Sequence, residues 1–122
     1  MPHARQRLGS EGEDLACREL ENAGYHIAER NYRSRFGEID IVAIDEGTVV
    51  FVEVKTKTSR DFGDPVDEVT PQKQRQLVSM GEEYYSFRCR PDTQCRFDVV
   101  AVDLSEMPAK ITHYKDAFRP GW

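Results

Sequence analysis

Asp40, Glu53 and Lys55 lie on two neighbouring apolar segments at a spacing that suits phosphate chemistry. Side chains alternate across a strand, so Glu53 and Lys55 share one face with Val49 and Phe51, while Val50, Val52 and Val54 take the other. On the preceding segment Glu38, Asp40, Val42 and Ile44 share a face, opposite Ile39, Ile41 and Ala43. A tight turn at Glu46-Gly47 sets a register in which paired residue numbers add to 93. That register predicts Asp40 directly opposite Glu53, and Glu38 directly opposite Lys55.

Directly opposed residues have Cβ atoms about 4.5–5.5 Å apart, and like charges there are destabilising. Two carboxylates held so close need compensation. One solution keeps a carboxyl protonated. Another is a divalent cation such as Mg²⁺, a hard ion held by one or two carboxylates together with substrate phosphate. Lys55, one strand period further on, could neutralise the pair or orient a water for attack on phosphorus. The competing reading is a wet face carrying only cross-strand ion pairs. Against it, Val42, Ile44, Val49 and Phe51 make the same face half apolar.

The elements that must position these residues are readable from periodicity. Glu11 to Gly24 predicts a helix, with Ser10 as N-cap, Glu13 at the capping-box position and Gly24 as its end. Tyr25 to Arg33 predicts a partly exposed strand, followed by a turn at 34–37. Glu38 to Asp45 and Thr48 to Thr56 are the clearest strands. Thr58 to Val69 reads as a loop. Thr70-Pro71 opens a second helix whose apolar stripe is Leu77, Met80, Tyr84 and Phe87. Arg96 to Leu104, apolar on both faces, predicts a central covered strand. Lys110 to Tyr114 is expected as a weak edge strand. The order is α-β-β-β-α-β-β, an α/β (α+β) arrangement with helices flanking a mixed sheet. We expect one domain over 1–122, with its core at about 8–104 and an edge strand and tail at 105–122.

The 122 residues carry 17 basic and 22 acidic side chains, a formal charge of −5 that would ordinarily argue against nucleic acid. The charge is segregated, however. Residues 36–54 hold five acids and no base, and Lys55, Lys57 and Arg60 follow at once. Arg30, Arg33 and Arg35 precede the acidic block, interleaved with Tyr32 and Phe36, a combination able to clamp a phosphate backbone and stack a base. Lys73 lies near the start of the second helix, where the helix dipole also favours phosphate. Three cysteines, Cys17, Cys89 and Cys95, are too few and too widely spaced for a disulfide framework or a zinc site. They predict free thiols and a cytoplasmic setting, and no apolar run is long enough to span a membrane. Arg96 and Asp98 share a strand face and predict an internal ion pair.

Glu53-Val54-Lys55 after Asp40 resembles the PD-(D/E)xK nuclease superfamily, whose restriction-endonuclease-like core has the order α-β-β-β-α-β. A longer set is more specific: Gly9-x-x-Gly12-Glu13, Arg30-Asn31-Tyr32-Arg33, Gly37-Glu38-Ile39-Asp40, Val50 to Lys55, Phe62-Gly63-x-Pro65 and Arg96-Phe97-Asp98. Over about residues 8–104 the chain resembles the bacterial YraN-like family, which is grouped with Holliday-junction-resolvase-like endonucleases. The resemblance implies Asp40 and Glu53 as ligands of Mg²⁺ or Mn²⁺, completed by the Val54 carbonyl, with Lys55 orienting water. It implies that Glu13 supports the metal directly or through water, although its capping position offers it a purely structural role. Ile39 stands where the superfamily's name has proline.

The expected activity is therefore metal-dependent endonucleolytic hydrolysis of DNA, on branched or structured substrates by analogy. Arg30, Arg33, Arg35, Lys57 and Lys73 are the expected nucleic-acid contacts. A homodimer would suit the cutting of two strands, though no apolar stripe requires one. The alternatives are a catalytically silent nucleic-acid-binding module on the same fold and a protein–protein adaptor.

Overall fold

A computed structural model describes residues 4–58 and 68–119, with side chains from residue 9 onward. The motif Phe62-Gly63-x-Pro65 and Arg60 lie outside the described residues. Helix α1 (Ala4–Asn22) is followed by β1 (His26–Ser34), β2 (Gly37–Asp45) and β3 (Thr48–Lys57). Helix α2 (Pro71–Arg88) then leads to β4 (Cys95–Asp103) and β5 (Lys110–Phe118). The five strands form one mixed sheet in the order β1-β2-β3-β4-β5. Only β3 and β4 run parallel, and α2 makes the crossover between them.

Both sheet faces are covered, as the doubly apolar β4 predicts. Under α1, the buried residues Ala16, Cys17 and Leu20 pack on Ile41, Ala43, Val50, Val52, Val100 and Val102. Under α2, Leu77, Met80 and Tyr84 pack on Val42, Val49, Phe51, Phe97 and Val99. Gly12 brings α1 against β3, since a Cβ there would sit 2.0 Å from Thr56 Oγ1.

Helix ends follow local chemistry. Tyr25 N–H donates to Leu20 O at 2.9 Å and Gly24 N–H to Glu21 O at 3.0 Å, a Schellman closure around Gly24 at φ +94°. Thr70 Oγ1 accepts from Lys73 N at 3.2 Å, with Pro71 starting α2. The N-terminus of α1 departs from expectation. The helix begins at Ala4, so Ser10 is interior and caps nothing, and Glu13 forms no capping box. The Arg, Gln and Leu residues at 5–8 are good helix formers and extend it.

Two further expectations are corrected. Phe87 is 76% exposed, because the face that α2 buries is Leu77, Met80, Gly81 and Tyr84, and the exposed Arg88 lies over the Tyr84 ring. The weak edge strand expected over 110–114 runs to Phe118, whose ring stacks on Phe97 at 5.1 Å.

The β2–β3 hairpin closes on Glu46 and Gly47, both at positive φ, a turn whose twist matches the strands. Five pairs from Asp45↔Thr48 to Ile41↔Val52 follow the expected register. There the ladder stops. Val54 N–H donates at 2.8 Å to Asp40 Oδ2, a side-chain acceptor in place of a β2 carbonyl. The alternation of β2 also slips at this point, because Ile39 packs under α2 while Ile41 packs under α1. Glu38 therefore does not face Lys55. It pairs with Arg33 on β1, and Lys55 lies beside Ala101 on β4.

Candidate active site

Asp40 and Glu53 still meet, although no ladder pair joins them. Their carboxyls lie within hydrogen-bonding reach of each other at the point where β2 and β3 part. Glu53 is 8% exposed, one of two buried charged residues among those described. Burial pushes the Asp40 carboxyl up, to a pKa of about 8, and the charge and hydrogen bond of Glu53 add to the rise. The Val54 N–H and the Lys73 ammonium act in the opposite direction. The pair thus holds a proton near neutrality, with the raised pKa falling on Asp40.

Helix α2 brings in a cation. Lys73 Nζ lies 3.5 Å from Glu53 Oε2, near enough to pair charge. The contact is an ion pair and not a hydrogen bond, and that buried oxygen has no hydrogen-bond donor. An acceptor left in this condition is costly unless something else fills its valence. A half-buried carboxylate beside a buried one with an unclaimed oxygen is an oxygen-only donor set that fits Mg²⁺ or Mn²⁺. Among the described residues, no three His, Cys, Asp or Glu side chains converge on one metal position. The protein alone would therefore supply a minimal shell, completed by main-chain carbonyl, water and phosphate.

Glu13 stands behind this pair. Its Oε1 accepts from Asn31 Nδ2 at 3.0 Å and lies 3.7 Å from an Arg30 nitrogen. Burial raises its pKa, the Asn31 hydrogen bond opposes that, and the charge of Asp40 raises it further. Glu13 is close enough to feel the pair, yet its carboxylate is committed to β1. Asn31 sits in the left-handed region at φ 54°, a conformation Asn tolerates better than most residues, and this aims its amide at α1. Sequence reasoning gave Asn31 no role; its place within Arg30-Asn31-Tyr32-Arg33 was the available signal.

The basic residues divide. Lys55 is half-buried on the Glu53 face, and among the described residues no carboxylate lies within ion-pair distance of it. Arg30 is engaged with Asp14 at 2.8 Å as well as Glu13. Lys57 lies 3.9 Å from Asp103 Oδ2 and is mostly buried, so it is a strand-to-strand tie more than a free phosphate contact. Arg33 is 86% exposed, with only a 3.7 Å approach to Glu38. Arg35 lies over the Phe36 ring, 5.0 Å from its centre. Tyr32, expected beside Phe36 as a stacking group, is instead packed edge-on against Tyr84 at 5.1 Å.

The expected Arg96–Asp98 pair is present at 3.1 Å, away from the carboxylate pair. Asp98 is 1% exposed and also meets His113 Nε2 at 2.7 Å and Asp116 N–H at 2.9 Å. The three cysteines are free thiols. Among the described residues, no helix is long and apolar enough to cross a membrane.

A family model described as "Uncharacterised protein family UPF0102" matches residues 12–102. That span takes in Glu13, Asn31, Asp40, Glu53, Lys55 and Lys73. A UPF0102 protein of Chlorobium chlorochromatii (strain CaD3) is 44% identical over 123 residues, covering 96% of this chain and 95% of its own. One from Rhodococcus opacus (strain B4) is 44% identical over 112 residues, covering 91% and 95%. One from Alkaliphilus oremlandii (strain OhILAs) is 45% identical over 115 residues, covering 93% and 98%. Similarity of this extent from end to end identifies the chain as a member of the UPF0102 family, which is the YraN-like family that its motifs resemble.

Proposed function

We propose that this protein is a metal-dependent endodeoxyribonuclease that hydrolyses phosphodiester bonds in branched or structured DNA. The observation that carries the reading is the close pair of half-buried Asp40 and buried Glu53, with Glu53 Oε2 lacking a hydrogen-bond donor. A Mg²⁺ or Mn²⁺ ion bound there supplies a lowered water pKa and charge compensation on phosphate. Asp40, Glu53 and the Val54 carbonyl are the groups that would hold it. Val54 N–H fixes the Asp40 carboxylate by one oxygen and leaves the other to serve the site. Lys55, without an ion-pair partner among the described residues, is the ammonium available to orient water. Lys73 balances Glu53 from α2. Glu13, braced by Asn31, adds a third negative charge near Asp40 that a bound cation would offset.

The test is incubation of single-stranded, flap and four-way DNAs with Mg²⁺ or Mn²⁺. Cleavage is expected, and Asp40→Asn with Glu53→Gln should lower it at least about a hundredfold, the scale of losing a metal-held charge stabiliser. Cleavage that survives both substitutions sinks the proposed site.

One observation favours the silent binding module as a second reading. The raised pKa of Asp40 lets one proton, together with the Lys73 ammonium beside Glu53, offset the charge of the pair with no ion required. The two readings part on metal binding, which must displace the Asp40 proton. The nuclease reading expects the melting temperature to rise with millimolar Mg²⁺, and to rise more at pH 8.5 than at pH 6.5. No rise at either pH, with DNA binding intact, selects the silent module.

A further inference from the structure

The tip of the β1–β2 hairpin carries an exposed aromatic ring on a rigid mount. Phe36 is 42% exposed, one of three large apolar side chains in that condition among the described residues. The other two, Phe87 and Met107, lie at the end of α2 and in the β4–β5 connection. Around Phe36 the backbone is fastened at both polar groups. Its N–H donates to Ser34 Oγ at 3.0 Å, and its carbonyl accepts from Gln76 Nε2 at 2.7 Å. Gly37, at φ +136°, lets the chain approach α2 so closely that a Cβ would meet Gln76 Nε2 at 2.7 Å and Met80 Sδ at 3.3 Å.

Gln76 links this tip to the carboxylate pair. Gln76 and Lys73 are three residues apart on α2, where side chains are neighbours about 5–6 Å apart. Lys73 reaches Glu53, and Gln76 holds the Phe36 carbonyl. Phe36 is therefore mounted one side-chain step from the site. Phe36 immediately precedes β2 and is four residues from Asp40, at most about 13 Å of extended chain. The exposed Arg33 and Arg35 give the tip a positive charge suited to phosphate.

We propose that Phe36, backed by Arg35, is a stacking platform for an unpaired base, so that the preferred DNA carries a single-stranded segment beside the scissile phosphate. This rests on the nuclease reading for its catalysis, but not for its binding. A ring at a hairpin tip can stack only on the open face of a base. Inside a duplex the faces are covered by neighbouring base pairs and only the edges reach the grooves. Stacking of this kind accepts any base, because every base has a π-face. With the Arg35 guanidinium over one face of the ring, the opposite face is the one offered. The preference is thus for structure and not sequence.

The experiment measures fluorescence-anisotropy binding in Ca²⁺ at about 50 mM salt, where phosphate contacts are strong. The probes are a blunt duplex and the same duplex with a single-stranded arm carrying 2-aminopurine. Wild type should favour the armed duplex and quench the 2-aminopurine. Phe36→Ala should weaken armed binding about tenfold, on the scale of one lost base–aromatic stack, and leave the blunt duplex unchanged. Phe36→Trp should retain both preference and quenching, and both variants should melt like wild type. Equal affinity of Phe36→Ala and wild type for the armed duplex overturns the inference, as does an equal loss on both DNAs. Cleavage in Mg²⁺ without an arm preference keeps the nuclease and removes the platform. Preference with quenching but no cleavage does the reverse, and absence of binding to either DNA removes both.

Discussion

Asp40 has opposite interests in folding and in function. Its pKa is raised, so the native state holds a proton that the unfolded chain has lost above its ordinary value near 3.8. The stability this proton contributes is fully present below about pH 4. It declines as pH rises and is gone once pH passes the folded value of about 8. Asp40→Asn imitates the protonated form: its oxygen can accept from Val54 N–H while its amide donates to Glu53. The variant should be more stable than wild type by about 2 kcal/mol at pH 8.5, with the gap closing at pH 4–5. That figure is well below the full shift because the proton belongs to the pair and not to one residue. Urea unfolding at the two pH values without divalent metal measures it. A variant less stable than wild type at pH 8.5 would show that the ionised Asp40 carboxylate does not destabilise the native state, contrary to its raised pKa.

Elements explain which parts of the site were legible in the sequence. The hairpin register held from Asp45↔Thr48 to Ile41↔Val52 because a Glu46-Gly47 turn and unbroken β-branched strands fix it. The opposition of Glu38 and Lys55 failed because the ladder ends where Val54 N–H turns to a carboxylate, and pattern reasoning assumes main-chain pairing. Lys73 was legible as a basic residue at a helix start, but its approach to Glu53 depends on how α2 crosses the sheet. The approach of α1 was likewise hidden in Gly12, which reads as a weak helix former and in fact makes room for Thr56. Gly12→Ala should destabilise by about 1–3 kcal/mol despite the better helix propensity of Ala, because Thr56 belongs to a central strand and can give little ground. Adding Thr56→Ala should recover part of that loss in a double-mutant cycle. Simple additivity of the two changes would mean that the helix and strand do not touch there.

At the scale of the whole molecule, the half-buried Asp40 and the fully buried Asp98 respond to pH in opposite directions. Asp98 resists protonation: although burial opposes it, His113, the Asp116 N–H and Arg96 together hold its pKa below the ordinary value. Its contribution is present above about pH 4 and is lost as pH falls through the lower folded value. Asp40 loses its contribution as pH rises toward 8. Without divalent metal, Asp98 contributes a loss of stability as pH falls below about 4, and Asp40 a loss as pH rises from about 4 to about 8. The formal charge of −5 counts Asp40 as ionised; with its proton the count is −5 + 1 = −4, so charge repulsion within the chain is also slightly smaller than the sequence suggests. Removing Asp98 should cost far more than removing the Asp40 charge. Asp98→Ala leaves Arg96 with Asp45 alone as its carboxylate, and takes from the Arg96 Nε–H, the Asp116 N–H and His113 their shared partner, so a loss of about 3–5 kcal/mol is expected at pH 7. The acid limb of the stability profile should also flatten in that variant, while the alkaline limb set by Asp40 stays. A profile that loses both limbs in Asp98→Ala would mean that the buried ion-pair network and the carboxylate pair are one coupled unit.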